Sequence, residues 1–93
     1  MERFYFAVVE KDDGSDFGVW FPDFPGCVSA GGSHAEALIN AREALQFHLD
    51  GMIEDGEPIP EPTPFESLSN ERNLLLSLVP VRLPTKSKRI NIT

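Results

Sequence analysis

A chain of 93 residues with a net charge of −7 is long enough for one small domain built around one hydrophobic core. No apolar run approaches the roughly 18 residues of a membrane-spanning helix, and the N-terminus lacks the pattern of a signal peptide. The single cysteine, Cys27, excludes an internal disulfide, which favours a reducing, cytoplasmic setting.

Charge is distributed unequally along the chain. All fifteen acidic side chains lie at or before Glu71, with only three basic ones among them, whereas Arg72–Thr93 holds five basic side chains and no acid. An acidic body of this kind disfavours nucleic-acid binding and favours a basic protein partner. The last stretch has its own pattern, a polar basic linker followed by strict alternation of polar and apolar residues from Arg89 to Thr93. We expect residues 1–84 to form the main domain and residues 85–93 to be this linker and the first strand of a further segment.

Three short strands are predicted in the first third of the chain. Phe4–Val9 is aromatic, β-branched and apolar on both alternating faces, which is typical of a central strand. An acidic turn leads to a second strand at Phe17–Phe21, and a turn between two prolines leads to a third at Cys27–Ala30. The acidic turn lacks the spacing of a calcium-binding loop, and Gly31-Gly32 lacks the pattern of a phosphate-binding loop, so we interpret both as turns.

A long helix follows the third strand. Ser33 can cap its N-terminus, and Glu36 completes a capping box. Behind this cap, apolar side chains recur at spacings of three and four: Leu38, Ala41, Leu45, Leu49 and Met52. Gly56 stands where a C-terminal cap belongs, and the prolines after it predict a stiff, extended connector.

A fourth strand is predicted at Leu74–Leu83, where Pro80 indicates a sheet edge or a bulge. The resulting order β-β-β-α-β gives an α+β fold with one long helix packed on one face of the sheet. A right-handed crossover would place the fourth strand parallel to the first. The other apolar face of the sheet would remain uncovered and is a candidate contact surface.

Few residues suggest catalysis. His34 and His48 lack the spacing of a shared metal site, and we expect His48 to be packed and half-buried. Cys27 has no neighbouring base in sequence that would activate its thiol, so we expect it to pack. Asp23 lies on the proline-rich turn, and two roles stay open for it: capping a local backbone amide or meeting a cationic partner.

Three ordered segments closely resemble the HicB antitoxin family. They are FPDFPGC at residues 21–27, SHAEALINAREALQFHL at residues 33–49 and EDGEPIPEPT at residues 54–63. The resemblance implies a partial RNase H-like fold with a mostly antiparallel sheet. It also implies the function of binding and silencing HicA, a small basic ribonuclease toxin, with no enzymatic activity or cofactor of the chain's own.

This resemblance sets expectations for partners. We expect Trp20, Asp23 and Phe24, together with the apolar strand face, to contact the toxin, and we expect a homo-oligomer, dimer or tetramer. Two alternatives stay open: a small metal-dependent nuclease on the RNase H-like scaffold, or a free-standing scaffold domain without a toxin partner.

The resemblance also implies a C-terminal DNA-binding domain, through which family members commonly repress their own operon and which is ribbon-helix-helix in some members and helix-turn-helix in others. The last residues resemble the opening strand of the ribbon-helix-helix type. Lys88, Arg89, Asn91 and Thr93 are the side chains expected to contact operator DNA. The sequence ends before either helix of such a domain, so we expect the domain to be truncated. Operator binding by this chain alone is therefore expected to be weak or absent.

Overall fold

The computed structural model describes residues 1–11, 13–68 and 75–84. Its elements are β1 (Glu2–Lys11), β2 (Phe17–Trp20), β3 (Val28–Gly31), α1 (His34–Glu54), α2 (Phe65–Leu68) and β4 (Leu76–Arg82). Apart from the single turn of α2, this is the predicted β-β-β-α-β order. The α+β class, with one long helix on one face of the sheet, is confirmed.

The four strands form one sheet in the order β3-β2-β1-β4, and every neighbouring pair is antiparallel. β1 is central, as its apolar faces predicted, and β4 is an edge strand, which is one of the two arrangements that Pro80 indicated. Leu83 N donates to Met1 O at 2.7 Å and Val9 N donates to Leu75 O at 2.9 Å. Every second residue of β4, counted from Leu75 to Leu83, therefore bonds to β1, and Pro80 lies between two of them. Because the backbone of Pro80 is directed away from β1, its missing N–H costs no hydrogen bond to β1.

The predicted parallel arrangement of the first and fourth strands is wrong. The second half of α1 lies near the start of β1, because Gln46 contacts Arg82, which pairs with Glu2. The connector after α1 then returns along the domain and is held by a hydrogen bond from the Tyr5 hydroxyl to Pro60 O. The chain consequently enters β4 opposite Val8 and runs antiparallel to β1.

α1 covers one face of the sheet. Its buried side chains are Ala37, Ala41, Leu45 and Leu49, and they pack on a set from the strands: Tyr5, Ala7, Val9, Val19, Val79 and Val81. The predicted N-terminal cap is present, because Ser33 Oγ accepts from Glu36 N at 3.1 Å and Glu36 Oε1 accepts from Gly32 N at 2.8 Å. Gly56 adopts a left-handed φ of 74° and ends the helix, as predicted.

Candidate interaction surface

The sheet face opposite α1 is only partly covered. The side chains of Phe4, Phe6 and Val8 alternate onto this face of β1. α2 covers part of it, since the Phe65 ring lies 5.8 Å from the Phe6 ring. Val8 and Leu68 are both buried, yet neither belongs to the core under α1. A small second apolar cluster therefore fixes α2 on this face.

Large apolar side chains stay exposed on the rest of this face. Phe4, Trp20, Val28 and Leu78 have between 37% and 65% of their surface accessible to solvent. Trp20 lies directly opposite Val28, and Phe4 and Leu78 are diagonal neighbours on β1 and β4. We name these four residues the open sheet face. The two pairs lie on either side of Phe6 and Val8, which are less exposed. Exposed apolar side chains of this size on one face of a small domain are a candidate contact surface.

Trp20 is held in place at the acidic rim of the open sheet face. Its indole N–H donates to the Glu10 carboxylate at 3.1 Å. This bond satisfies the one polar group of the side chain and leaves the apolar ring surface available for contact. Of the three residues predicted to contact a toxin, Trp20 is the one that lies at the open sheet face.

Asp23 is engaged within the chain. Its carboxylate accepts from Thr63 N at 3.0 Å and also accepts from the Thr63 hydroxyl. It therefore caps a backbone amide, one of the two roles left open, although that amide lies 40 residues away instead of nearby. The bond pair ties the proline-rich turn to the end of the connector, and we refer to it as the Asp23–Thr63 clamp.

Phe24 lies in the core, with 2% of its surface exposed. Its ring lies 4.7 Å from the Tyr5 ring and 5.8 Å from the His48 ring, in edge-to-face geometry. In this conformation Phe24 cannot present its side chain to a partner, and its effect on any interface would be indirect. His48 is half-buried against it, as expected.

The middle of the connector is held by β1. The Tyr5 hydroxyl donates to Pro60 O and accepts from Arg3 Nη1 at 3.1 Å. Arg3 also lies 3.9 Å from the exposed carboxylate of Glu61. The hydrogen bond with Tyr5 raises the pKa of Arg3 above its ordinary value. The P-I-P-E-P segment is thus held on β1 through the carbonyl of Pro60, while the Ile59 side chain packs against the core.

Cys27 is buried, and burial raises the pKa of its thiol. We expect the native protein to react with Ellman's reagent at neutral pH about 100-fold more slowly than the denatured chain, because the thiol is both covered and protonated. The measurement is the absorbance of released thionitrobenzoate with and without denaturant. Equal rates would contradict the burial of Cys27.

Sequence periodicity missed two exposed apolar residues on α1. Ile39 and Phe47 have 60% and 80% of their surface accessible, on the side of the domain away from the open sheet face.

The expected DNA contacts Lys88, Arg89, Asn91 and Thr93 lie outside the described residues, as does the predicted boundary after residue 84. Among the described residues, no helix is long and apolar enough to cross a membrane, and no group of three potential metal ligands occurs.

Comparison with known proteins gives consistent matches. The sequence profile of a HicB-like antitoxin of bacterial toxin–antitoxin systems matches residues 5–93. An uncharacterised 14.9 kDa protein of Haemophilus phage HP1 is 41% identical over 96 residues, covering 96% of this chain and 71% of that protein.

Two solved structures are similar as well. The N-terminal domain of the Burkholderia pseudomallei antitoxin HicB is 35% identical with a TM-score of 0.77, covering 87% of this chain and all of that one. A chain of a HicA3 and HicB3 toxin–antitoxin complex is 26% identical with a TM-score of 0.65, covering 87% of this chain and 100% of that chain. With a profile match over almost its whole length and the predicted fold in place, the chain belongs to the HicB-like antitoxin family.

Proposed function

We propose that this protein is an antitoxin that binds and neutralises a HicA-like toxin, a small basic ribonuclease, through the open sheet face. The observation that carries the proposal is the set of large apolar side chains exposed on one face of a chain with a net charge of −7. Family membership and the similarity to a chain of a toxin–antitoxin complex support the choice of partner.

The two features have separate roles in this proposal. Acidic charge attracts a basic toxin over a distance and raises the association rate, whereas the apolar contacts limit the dissociation rate. Raising the salt concentration should therefore slow association and leave dissociation nearly unchanged. Association that does not respond to salt would contradict the electrostatic part of the proposal.

The binding surface can be tested with the toxin encoded beside this gene. The double variant Trp20→Ser/Leu78→Ser should weaken toxin binding about 100-fold, since both side chains would lie in the desolvated centre of the interface. Calorimetry or biolayer interferometry measures the affinity, and RNA cleavage by the toxin measures its inhibition. The matched control is Ile39→Ser/Phe47→Ser, which removes equally exposed apolar side chains from α1. That control should stay within about twofold of the parent affinity.

The opposite ranking of these two variants would place the toxin on α1 and overturn the proposed surface. Circular dichroism must show that both variants remain folded. Asp23 and Phe24 stay in the proposal as residues that shape the neighbouring turn, because one is clamped to Thr63 and the other is buried.

We further propose that the protein acts by binding, without catalysis, in the cytoplasm where its toxin would act. The family supports this choice over an RNase H-like nuclease. Metal-dependent cleavage of RNA by the purified protein, absent from a Glu10→Ala variant, would overturn it. We also propose a dimer or tetramer, and operator binding through a domain beginning within residues 85–93, in which Lys88, Arg89, Asn91 and Thr93 meet DNA.

A further inference from the structure

One outer edge of the sheet is occupied by a side chain of α1. Arg82 N donates to Gln46 Oε1 at 2.8 Å, and Gln46 Nε2 donates to Arg82 O at 3.0 Å. These two bonds form the ring that the backbone of a paired residue would make in an antiparallel ladder. The carboxamide of Gln46 therefore stands in for the N–H and C=O of one residue of a fifth strand.

The orientation of this carboxamide is fixed. Gln46 Nε2 also donates to Asp50 Oδ1 at 3.0 Å, one turn later on α1. Both amide hydrogens are then used, and the oxygen is directed to Arg82 N. Two residues earlier on the same edge, Pro80 carries no N–H at all. Two of the four outward-directed positions of β4 are thus unable to donate to an incoming strand.

The opposite edge carries a similar contact. In β3, Ser29 and Gly31 form the hydrogen-bonded pairs with Val19 and Phe17 of β2. The backbone groups of Val28 and Ala30 are therefore directed away from β2. Asn40 Nδ2 donates to Ala30 O at 2.9 Å. One side-chain amide from α1 therefore reaches each edge of the sheet, from positions 40 and 46 of the same helix.

The described residues leave space beside the β4 edge. An open groove of about 640 Å³ runs beside β4 and is bordered by Arg42, Gln46, Pro80 and Arg82. Exposed strand edges with room beside them pair readily with other chains. Space alone would therefore permit a fifth strand, and the chemistry of the edge decides whether one is added.

We propose that Gln46 and Asn40, together with Pro80, close the two edges of this sheet against pairing with another chain. The two amides occupy outward backbone groups, and the proline removes a donor. Partners are then left to dock on the open sheet face. Whichever partner docks there, the closed edges keep copies of the chain from joining edge to edge.

The test compares self-association of variants of the full chain. Gln46→Ala/Pro80→Val frees the Arg82 backbone and restores the N–H at position 80. Its weight-average mass should at least double relative to the parent between about 10 and 500 µM, as expected for an unprotected edge. Light scattering after gel filtration measures the mass. Asn40→Ala should produce a smaller increase, because β3 has only four residues.

A rescue variant identifies the edge that is used. Gln46→Ala/Pro80→Val/Arg82→Pro removes the outward N–H of Arg82 without touching a bond to β1, and it should return towards the parent mass. Its matched control, with Arg82→Gln instead, loses the same charge but keeps the N–H, and it should still associate. Thermal melts report any loss of stability separately.

Two results would overturn the proposal. One is a lower melting temperature for the double variant with no change in mass, which would make Gln46 a purely structural contact. The other is equal association of the proline and glutamine variants at position 82, which would show that the chains do not pair through β4.

Discussion

Replacing Gly31 with alanine is expected to lower the free energy of unfolding by about 3 kcal/mol, near the upper end of what overpacking costs. A Cβ atom at Gly31 would lie 2.5 Å from Ala37 N and 2.8 Å from Ala37 Cα. Both are backbone atoms in the first turn of α1, so no side chain can move aside to relieve the contact. The helix itself would have to shift away from β3.

The matched control is the same substitution at Gly51, which lies within α1. Nothing lies within 4 Å of a Cβ at Gly51, and alanine there should stabilise the protein by up to about 1 kcal/mol. Urea unfolding followed by circular dichroism measures both changes. An unchanged or higher unfolding midpoint for Gly31→Ala would contradict the close approach of β3 and α1.

Removing the Asp23 carboxylate should have the second largest effect. Asp23→Ala leaves the backbone N–H and the hydroxyl of Thr63 without their shared acceptor, and the loss of a charged hydrogen-bond acceptor should cost about 2–3 kcal/mol. The connector would also lose one of its attachments. Limited proteolysis should therefore cut within residues 57–64 sooner in this variant, alongside a lower urea midpoint.

A double-mutant cycle with Thr63→Val isolates the clamp. The double variant should be only slightly less stable than Asp23→Ala alone, because each substitution removes the same interaction. Asp13→Ala, at the exposed hairpin tip, is the control and should change stability by less than about 0.5 kcal/mol. Unchanged stability of Asp23→Ala together with weaker toxin binding would return Asp23 to its other predicted role, as a contact for a cationic partner.

Signals between residues close in sequence were sufficient to predict most of the fold. Ser33 and Glu36 predicted the start of α1 and Gly56 predicted its end, because capping depends on residues close in sequence. The position of β4 at an edge was one of the two arrangements that Pro80 indicated, because proline affects the ladder at its own position. In each case the residues that decide the structure lie within a few positions of the feature that they determine.

Features that depend on distant residues could not be predicted in this way. The direction of β4 depends on where the connector is held, which involves Tyr5 and Pro60, 55 residues apart. The partner of Asp23 lies 40 residues away, and the burial of Phe24 depends on Tyr5 and His48. The predicted contact surface did include Trp20, since strand alternation places it opposite the helix, but its extent depends on where α2 lies.

The pairing of Met1 with Leu83 has a practical consequence for protein engineering. Met1 N donates to Leu83 O at 3.1 Å, and Leu83 N donates back to Met1 O, so the main chain begins where β4 ends. An affinity tag fused ahead of Met1 would therefore emerge beside Leu83 and Pro84, the point at which the chain leaves β4. The same closeness would let a short linker join Pro84 to Met1 in a circular permutant of residues 1–84, whose new ends would lie together at the exposed hairpin near Gly14.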